Sequence, residues 1–175
     1  GGPAALAQLL AELPHDFRAA TVIVQHIDKE FAAGLADWLG TFTKLKLLTA
    51  AEGDSPAPGK VYLASSNDHL VVTPEMKFKY SADPIDQPFR PSVDVFFDSI
   101  CRHWPRKGAA VLLTGIGRDG AAGLLALKNN GWLTIAQDKA SCVVYGMPKA
   151  AAELEASSMT LPPIKIGQEL AKLRF

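Results

Sequence analysis

A charged side chain, Asp119, lies inside a glycine-dense turn that could bring it beside a ligand. The apolar run at residues 111–113 predicts a strand buried on both faces, because it lacks the polar alternation of a half-exposed strand. Residues 121–130 then follow a helical pattern that ends at an Asn-Asn-Gly signal. Asp119 is therefore predicted between the carboxyl end of a strand and the amino end of a helix, which is where open α/β sheets bind ligands.

Two other interpretations of this turn are open. An Asp directly before a helix is most often its N-cap, and its carboxylate accepts a hydrogen bond from a backbone N–H of the first turn. The letters G-I-G-R-D-G also have the G-x-G-x-x-G spacing of a dinucleotide site, formed by Gly115, Gly117 and Gly120. Asp138 lies near the end of the next apolar run, as that fingerprint requires. However, the carboxylate of Asp119 would repel a pyrophosphate at this position.

A histidine, His26, has the equivalent position one βα unit earlier. Residues 21–25 predict a short buried strand, and residues 29–39 predict the helix that follows it. Because His26 and Asp119 both follow strand ends, they are candidates for one site at that edge of the sheet. The alternative is a structural histidine that is hydrogen-bonded to a loop.

The rest of the chain alternates predicted strands with predicted helices. Further strands are predicted at 45–49, 61–64, 133–137 and 159–161, and further helices at 3–13, 91–104, 147–155 and 166–173. Residues 70–73 are apolar up to Thr73, and residues 77–80 alternate lysines with Phe78 and Tyr80, which together predict an antiparallel hairpin. The fold class predicted is α/β: a three-layer, mostly parallel, doubly wound (Rossmann-like) sheet with an added antiparallel hairpin.

Two segments next to these elements carry specific expectations. Residues 83–90 contain two prolines and little periodicity, which predicts a loop that lines a substrate site or simply crosses the surface. In the helix that follows, Phe96, Phe97 and Trp104 share one apolar stripe and are predicted to belong to the core.

Composition limits the class of protein. The chain has 175 residues, enough for one domain with a sizeable core, and its 18 basic and 18 acidic residues give no net field toward nucleic acid or a membrane. Cys101 and Cys142 lie in apolar patterns, which predicts small core residues rather than metal ligands or a disulfide. The lack of an apolar stretch of spanning length in the sequence favours the cytoplasm.

Five stretches in a fixed order cover nearly the whole chain. They are V-Q-H at 24–26, P-G-K-V-Y-L-A at 58–64 with His69 beyond it, R-P-S-V-D-V-F-F at 90–97, L-T-G-I-G-R-D-G-A-A-G at 113–123, and A-Q-D-K-A-S-C-V-V-Y-G-M-P at 136–148. Together they resemble the catalytic domain of the CheB-type chemotaxis receptor methylesterases. The resemblance identifies residues 1–175 as that domain.

The resemblance implies hydrolysis of glutamyl methyl esters on chemoreceptor cytoplasmic helices, and in some family members deamidation of receptor glutamines. The family uses a Ser-His-Asp group without a cofactor or a metal, and its motifs place the histidine at His26 and the aspartate at Asp119. The backbone N–H of Ile116 is expected to contribute to the oxyanion hole. Arg90 is expected to contact an acidic receptor helix, with a solvated arginine as the alternative.

The nucleophilic serine of the family lies in a G-A-S-[TA]-G-G turn whose last two glycines match Gly1 and Gly2. The serine is therefore expected two residues before Gly1. An N-terminal receiver domain and a first strand are expected before the serine. The expected partners are the methylated chemoreceptor and that receiver domain, with no nucleic acid and no direct membrane insertion. Two alternatives remain: a dinucleotide-binding enzyme that uses the glycine turn, and a non-catalytic regulatory module of the same fold.

Overall fold

The computed structural model describes residues 1–174 and contains the predicted alternation of helices and strands. The helices are α1 (Gly2–Ala11), α2 (Lys29–Gly40), α3 (Val93–His103), α4 (Ala121–Asn129), α5 (Met147–Glu153) and α6 (Pro163–Lys172). The strands are β1 (Thr21–Ile23), β2 (Lys46–Thr49), β3 (Lys60–Leu63), β4 (His69–Val72), β5 (Phe78–Ser81), β6 (Ala109–Leu112), β7 (Leu133–Gln137) and β8 (Met159–Leu161). The largest difference between predicted and observed bounds is at α6. This helix begins at Pro163 rather than at residue 166, because proline suits the first turn of a helix. The longest helix, α2, has 12 residues, and no helix within residues 1–174 has the length and apolarity of a membrane span.

The strands form two parallel sheets and one antiparallel pair. In the first sheet β3 lies between β1 and β2, and Ile23 is aligned with Leu63. In the second sheet β7 lies between β6 and β8, and Leu112 is aligned with Ala136. The antiparallel pair is β4 and β5, which form the predicted hairpin. The α/β class with mostly parallel strands is confirmed.

Helices cover both faces of the parallel strands, which explains why the strand sequences are apolar on both sides. One face packs on α1, α2 and α6, around buried residues such as Leu10, Leu39 and Ile166. The other face packs on α3, α4, α5 and the hairpin, around residues such as Phe97 and Leu124. This three-layer arrangement leaves the loops after β1 and β6 at the carboxyl edge of the strands, where the candidate site residues lie.

Candidate active site

His26 and Asp119 contact each other at the carboxyl edge of the strands. Nε2 of His26 lies 2.7 Å from Oδ2 of Asp119. The side chain of Asp119 is 1% exposed and that of His26 is 19% exposed, so the contact is largely shielded from water. The structure therefore joins two residues that follow separate strands, while their catalytic roles stay a prediction.

The carboxylate of Asp119 accepts three further hydrogen bonds from the amino end of α3. The hydroxyl of Ser92 and the N–H of Asp94 donate to Oδ1 at 2.8 and 3.0 Å, and the N–H of Val93 donates to Oδ2 at 2.7 Å. The expectation that Asp119 caps the helix after it is wrong. Gly120, with a φ of 96°, is the N-cap of α4 and has no side chain with which to cap that end. This left-handed residue separates Asp119 from α4, and the carboxylate caps α3 instead.

Hydrogen bonding keeps Asp119 ionised. Burial alone would raise the pKa of this carboxyl, but hydrogen bonds from His26 and from the amino end of α3 outweigh burial and hold the pKa below its ordinary value. Because an ionised carboxylate only accepts, the proton between the two groups lies on Nε2 of His26. In the neutral imidazole, Nδ1 is then the nitrogen with a free lone pair, as a general base requires.

A second carboxylate, that of Asp94, lies near Asp119. It accepts a hydrogen bond from α4, whereas the carboxylate of Asp119 accepts hydrogen bonds from α3. Oδ1 of Asp94 accepts the N–H of Gly123, in the first turn of α4, at 2.8 Å. Burial raises the pKa of Asp94 above its ordinary value; the Gly123 hydrogen bond opposes this rise and the charge of Asp119 adds to it. The two neighbouring carboxyls therefore have pKa shifts of opposite sign.

The amino end of α1 packs against both loops of the site. A Cβ on Gly2 would lie 2.9 Å from the side-chain amide of Gln25, the residue before His26. A Cβ on Gly1 would lie 3.5 Å from Cγ2 of Thr114, in the turn after β6. The start of a helix presents free N–H groups and the positive end of its dipole, which favour a negative charge. An anion or oxyanion next to His26 would be stabilised there.

Ile116 lies in the turn after β6. The residue is 70% exposed, and within residues 1–174 its N–H has no hydrogen-bond acceptor. The preceding residue, Gly115, is held in place because its N–H donates to the carbonyl of Val144 at 3.2 Å. The N–H of Ile116 is thus available to a ligand, and its place in an oxyanion hole stays a prediction.

A cleft of about 450 Å³ opens beside His26, and the loop at 83–90 lines it through Phe89 and Arg90. The ring of Phe89 stacks on the imidazole of His26. The guanidinium of Arg90 is occupied within the protein: Nη1 donates to the carbonyl of Ala82 at 3.0 Å, and Nη2 contacts Asp68 at 3.3 Å. Arg90 therefore secures its own loop, and its contact with a substrate stays a prediction.

Two residues of the site, Ser92 and Phe89, are not identified by the sequence analysis. Ser92 is the N-cap of α3, and its hydroxyl accepts the N–H of Val95 at 3.3 Å. A serine just before a helical pattern is a recognisable capping signal, but nothing local shows that its hydroxyl also donates to Asp119. Phe89 has no local signal, because its partner His26 lies on a different loop.

The glycines of the G-I-G-R-D-G turn face protein side chains. A Cβ on Gly117 would lie 2.7 Å from the ring of Phe89, and a Cβ on Gly115 would overlap Met147. Asp138 accepts the N–H of Ser141 at 3.2 Å within its own loop. The turn is tight because side chains fill the space beside it, so the structure gives no support to the dinucleotide interpretation.

Potential metal ligands do not form a cluster in the part of the chain that the structure describes. Within residues 1–174, no three His, Cys, Asp or Glu side chains lie together as metal ligands would. Cys101 and Cys142 are free and partly buried. Burial, with the nearby charge of Asp138 adding to it, raises the pKa of the Cys142 thiol. A protonated thiol is a poor nucleophile near neutral pH.

Comparison with known proteins gives similarities that cover the whole site. Residues 1–170 match the family model described as CheB methylesterase. The protein-glutamate methylesterase/protein-glutamine glutaminase 2 of Burkholderia orbicola (strain AU 1054) is 54% identical over 173 residues, which are 99% of this chain and 52% of the relative. The similarly named protein 3 of Pseudomonas aeruginosa (strain PAO1) is 49% identical over 173 residues, with the same two shares.

A solved structure gives the same result for the fold. The crystal structure of the Thermotoga maritima CheB methylesterase catalytic domain superposes with a TM-score of 0.91 at 36% sequence identity. The match covers 99% of this chain and 94% of that chain. The chain spans about half the length of the curated relatives that it matches.

Proposed function

The chain belongs to the CheB methylesterase family, and we propose that, in a protein that includes the residues before Gly1, it hydrolyses glutamyl methyl esters on chemoreceptor cytoplasmic helices. The observation that carries this proposal is the 2.7 Å contact between Nε2 of His26 and Oδ2 of Asp119. This contact orients an imidazole whose loop packs against the amino end of α1 through Gln25. Acyl transfer through a serine needs a general base and donors for the oxyanion, and the start of a helix can supply such donors.

The nucleophile in this proposal is a serine two residues before Gly1. The packing of Gly1 and Gly2 against the two loops of the site supports it, because residues just before Gly1 would then lie near His26. Nδ1 of His26 accepts the hydroxyl proton as the serine oxygen attacks the ester carbonyl carbon. The carbonyl oxygen becomes an oxyanion, which N–H groups at the start of α1 and the N–H of Ile116 stabilise.

The tetrahedral intermediate then collapses and the bond between the carbonyl carbon and the methoxy oxygen breaks. The imidazolium of His26 returns its proton to the leaving oxygen, and methanol departs. Water attacks the acyl-serine, His26 accepts one water proton, and that proton passes to the serine oxygen as glutamate is released. Asp119 stays ionised and stabilises the imidazolium in both halves of the reaction.

The test uses the full-length protein and a methylated chemoreceptor cytoplasmic fragment. Methanol release is measured for the unmodified protein, for alanine in place of the serine before Gly1, and for Ser157→Ala. Ser157 precedes β8 and so lies at the opposite edge of the strands, which makes it a matched control. We expect hydrolysis by the unmodified protein and by Ser157→Ala only. Hydrolysis by the variant without the upstream serine would rule out the serine mechanism, and an inactive unmodified protein would rule out the function.

A second activity, deamidation of receptor glutamines, is favoured by the names of the relatives, which join methylesterase to glutaminase. The same acyl-serine would form, with ammonia leaving in place of methanol after His26 protonates the nitrogen. Mass spectrometry of a receptor fragment with glutamine at the modification site tests it. Conversion of glutamine to glutamate that needs Asp119 supports a shared site, and unchanged glutamine contradicts this activity.

The remaining partners in this proposal follow from family membership. The relatives are about twice as long as this chain, which leaves room for a further domain. We expect an N-terminal receiver domain there, in a protein that acts on the receptor from the cytoplasm. Phosphorylation of the full-length protein should then raise methanol release, and an unchanged rate would contradict control by a receiver domain.

A further inference from the structure

The phenyl ring of Phe89 lies flat on the imidazole of His26. The ring centroids are 4.4 Å apart and the ring planes differ by 16°. A hydrogen bond at Nε2 alone leaves the imidazole free to tilt, because such bonds tolerate a range of angles. A parallel ring in contact removes that freedom. Asp119 therefore sets the direction of Nε2, and Phe89 restricts the plane of the ring.

Gly117 lies against the tip of the phenyl ring. Its backbone has a φ of 85°, and a Cβ there would lie 2.7 Å from Cζ and 3.0 Å from Cε2 of Phe89. The face of the phenyl ring thus contacts His26, and its tip approaches the backbone of the turn that leads to Asp119. Any side chain at position 117 would push Phe89 out of place, and the left-handed backbone there also favours glycine.

The loop that carries Phe89 is anchored on both sides. His69 is fully buried, accepts the N–H of Ser92 at Nδ1 at 3.0 Å, and donates from Nε2 to the carbonyl of Pro84 at 3.0 Å. The guanidinium of Arg90 donates to the same Pro84 carbonyl at 3.3 Å. Phe89 lies between these anchors, which restrain the backbone that carries its ring.

Residues 89–94 contact both members of the candidate pair. Phe89 packs on His26, while Ser92 and the two residues after it donate hydrogen bonds to Asp119. Phe89 is only partly buried and lines the cleft, so a role in the core does not account for it. One short segment thus sets the position of both the imidazole and its carboxylate.

We propose that Phe89 is a positioning residue, whose flat face holds the imidazole of His26 so that Nδ1 points at the nucleophile. For the reaction, this inference rests on the proposed function. The orientation of the ring is a property of the folded chain and can be measured without a substrate.

The test compares Phe89→Ala and Phe89→Leu in the full-length protein. Leucine keeps bulk without a flat face. Ile85→Ala is the matched control, because Ile85 is 75% exposed on the same loop. We expect kcat for methanol release to fall about a hundredfold in the Ala and Leu variants while KM changes less than about threefold, since small misplacements of a reacting group have effects of that size. The control should stay within about threefold of the unmodified protein.

Nitrogen-15 NMR of the His26 ring gives a readout that does not depend on activity. The unmodified protein and Ile85→Ala should show a single Nε2–H tautomer with narrow lines, and the Ala and Leu variants of Phe89 should show exchange broadening. Full kcat in Phe89→Leu, or a raised KM with unchanged kcat in Phe89→Ala, would overturn the proposal in favour of bulk or of a cleft wall. If the unmodified protein does not hydrolyse the ester, the proposed function fails. In that case, unchanged His26 spectra in the Ala and Leu variants would separately overturn the positioning role.

Discussion

Asp94, which lies in α3, accepts a hydrogen bond from α4, and Asp119, which lies just before α4, accepts hydrogen bonds from α3. Oδ1 of Asp94, in the first turn of α3, accepts the N–H of Gly123 in α4 at 2.8 Å. Asp119, just before α4, accepts the N–H of Val93 and of Asp94 in α3 at 2.7 and 3.0 Å. The amino ends of the two helices are thereby joined through two carboxylates. The carboxylate of Asp119, which contacts His26, is held by backbone N–H donors of α3, and these bonds make its position rigid.

Asp119→Asn should lower kcat for methanol release by roughly a thousandfold or more, as loss of the correct tautomer does in other triads. If the amide oxygen keeps the two bonds at Oδ1, the NH₂ group faces Nε2 of His26 and favours a proton on Nδ1. His26 then cannot accept the serine proton. Asp98→Asn, on the exposed face of α3, is the control and should leave kcat unchanged. Activity of Asp119→Asn within a few-fold of the unmodified protein would contradict the role of Asp119.

Ser92→Ala should lower the free energy of unfolding by about 1–2 kcal/mol, because α3 loses its N-cap. It should also lower kcat, since Asp119 loses a donor. Ser99→Ala is the control. Ser99 also lies in α3, and its buried hydroxyl accepts the N–H of Val72 in β4 at 3.0 Å but does not contact Asp119. Urea unfolding and methanol release are measured for both variants. Comparable losses of stability with equal kcat values would show that Ser92 acts only as a cap.

The lowered pKa of Asp119 predicts a loss of stability in acid. In the unfolded chain the carboxyl titrates near pH 3.9, and in the folded protein it titrates below that value. Its contribution to stability is therefore fully present above about pH 4 and declines as pH falls through the folded pKa. Urea unfolding between pH 7 and pH 3 should show a shallower decline in Asp119→Asn than in the unmodified protein. Equal slopes would contradict the shift.

Asp94 should show the opposite sign, because its pKa is raised in the folded protein. The ionised carboxylate then lowers stability at neutral pH, and this cost disappears as pH falls through the folded pKa. Asp94→Asn keeps an oxygen that can accept the N–H of Gly123 but carries no charge. The variant should be more stable than the unmodified protein at pH 7, by a margin that shrinks toward pH 4. Urea unfolding measures both values, and a less stable variant at pH 7 would be contrary to this prediction.

Phe97→Ala should lower the free energy of unfolding by about 3–5 kcal/mol, because the ring is 7% exposed and its removal leaves a cavity. Phe96 is buried beside it and Trp104 packs on the same core while partly exposed, as predicted for structural residues. Below its melting temperature the Phe97→Ala variant should keep its kcat. A large loss of activity with unchanged melting would instead indicate a binding surface.

Local sequence patterns were enough to predict most of the fold and the location of the candidate site. Strands, helices and the hairpin follow from the periodicity of apolar residues and from turn and capping signals, which depend on neighbours in the chain. The same signals placed His26 and Asp119 at strand ends, and five ordered motifs identified the family. These features need no knowledge of contacts between distant elements.

Only the tertiary structure decided what those residues contact. The left-handed Gly120 turns the carboxylate of Asp119 away from α4, so local capping rules predicted the wrong helix. Ser92 reaches Asp119, and Phe89 reaches His26, because the packing of α3 and its preceding loop brings separate segments together. Contacts of this kind depend on the relative placement of whole elements. The spacing of residues within one segment therefore cannot predict them.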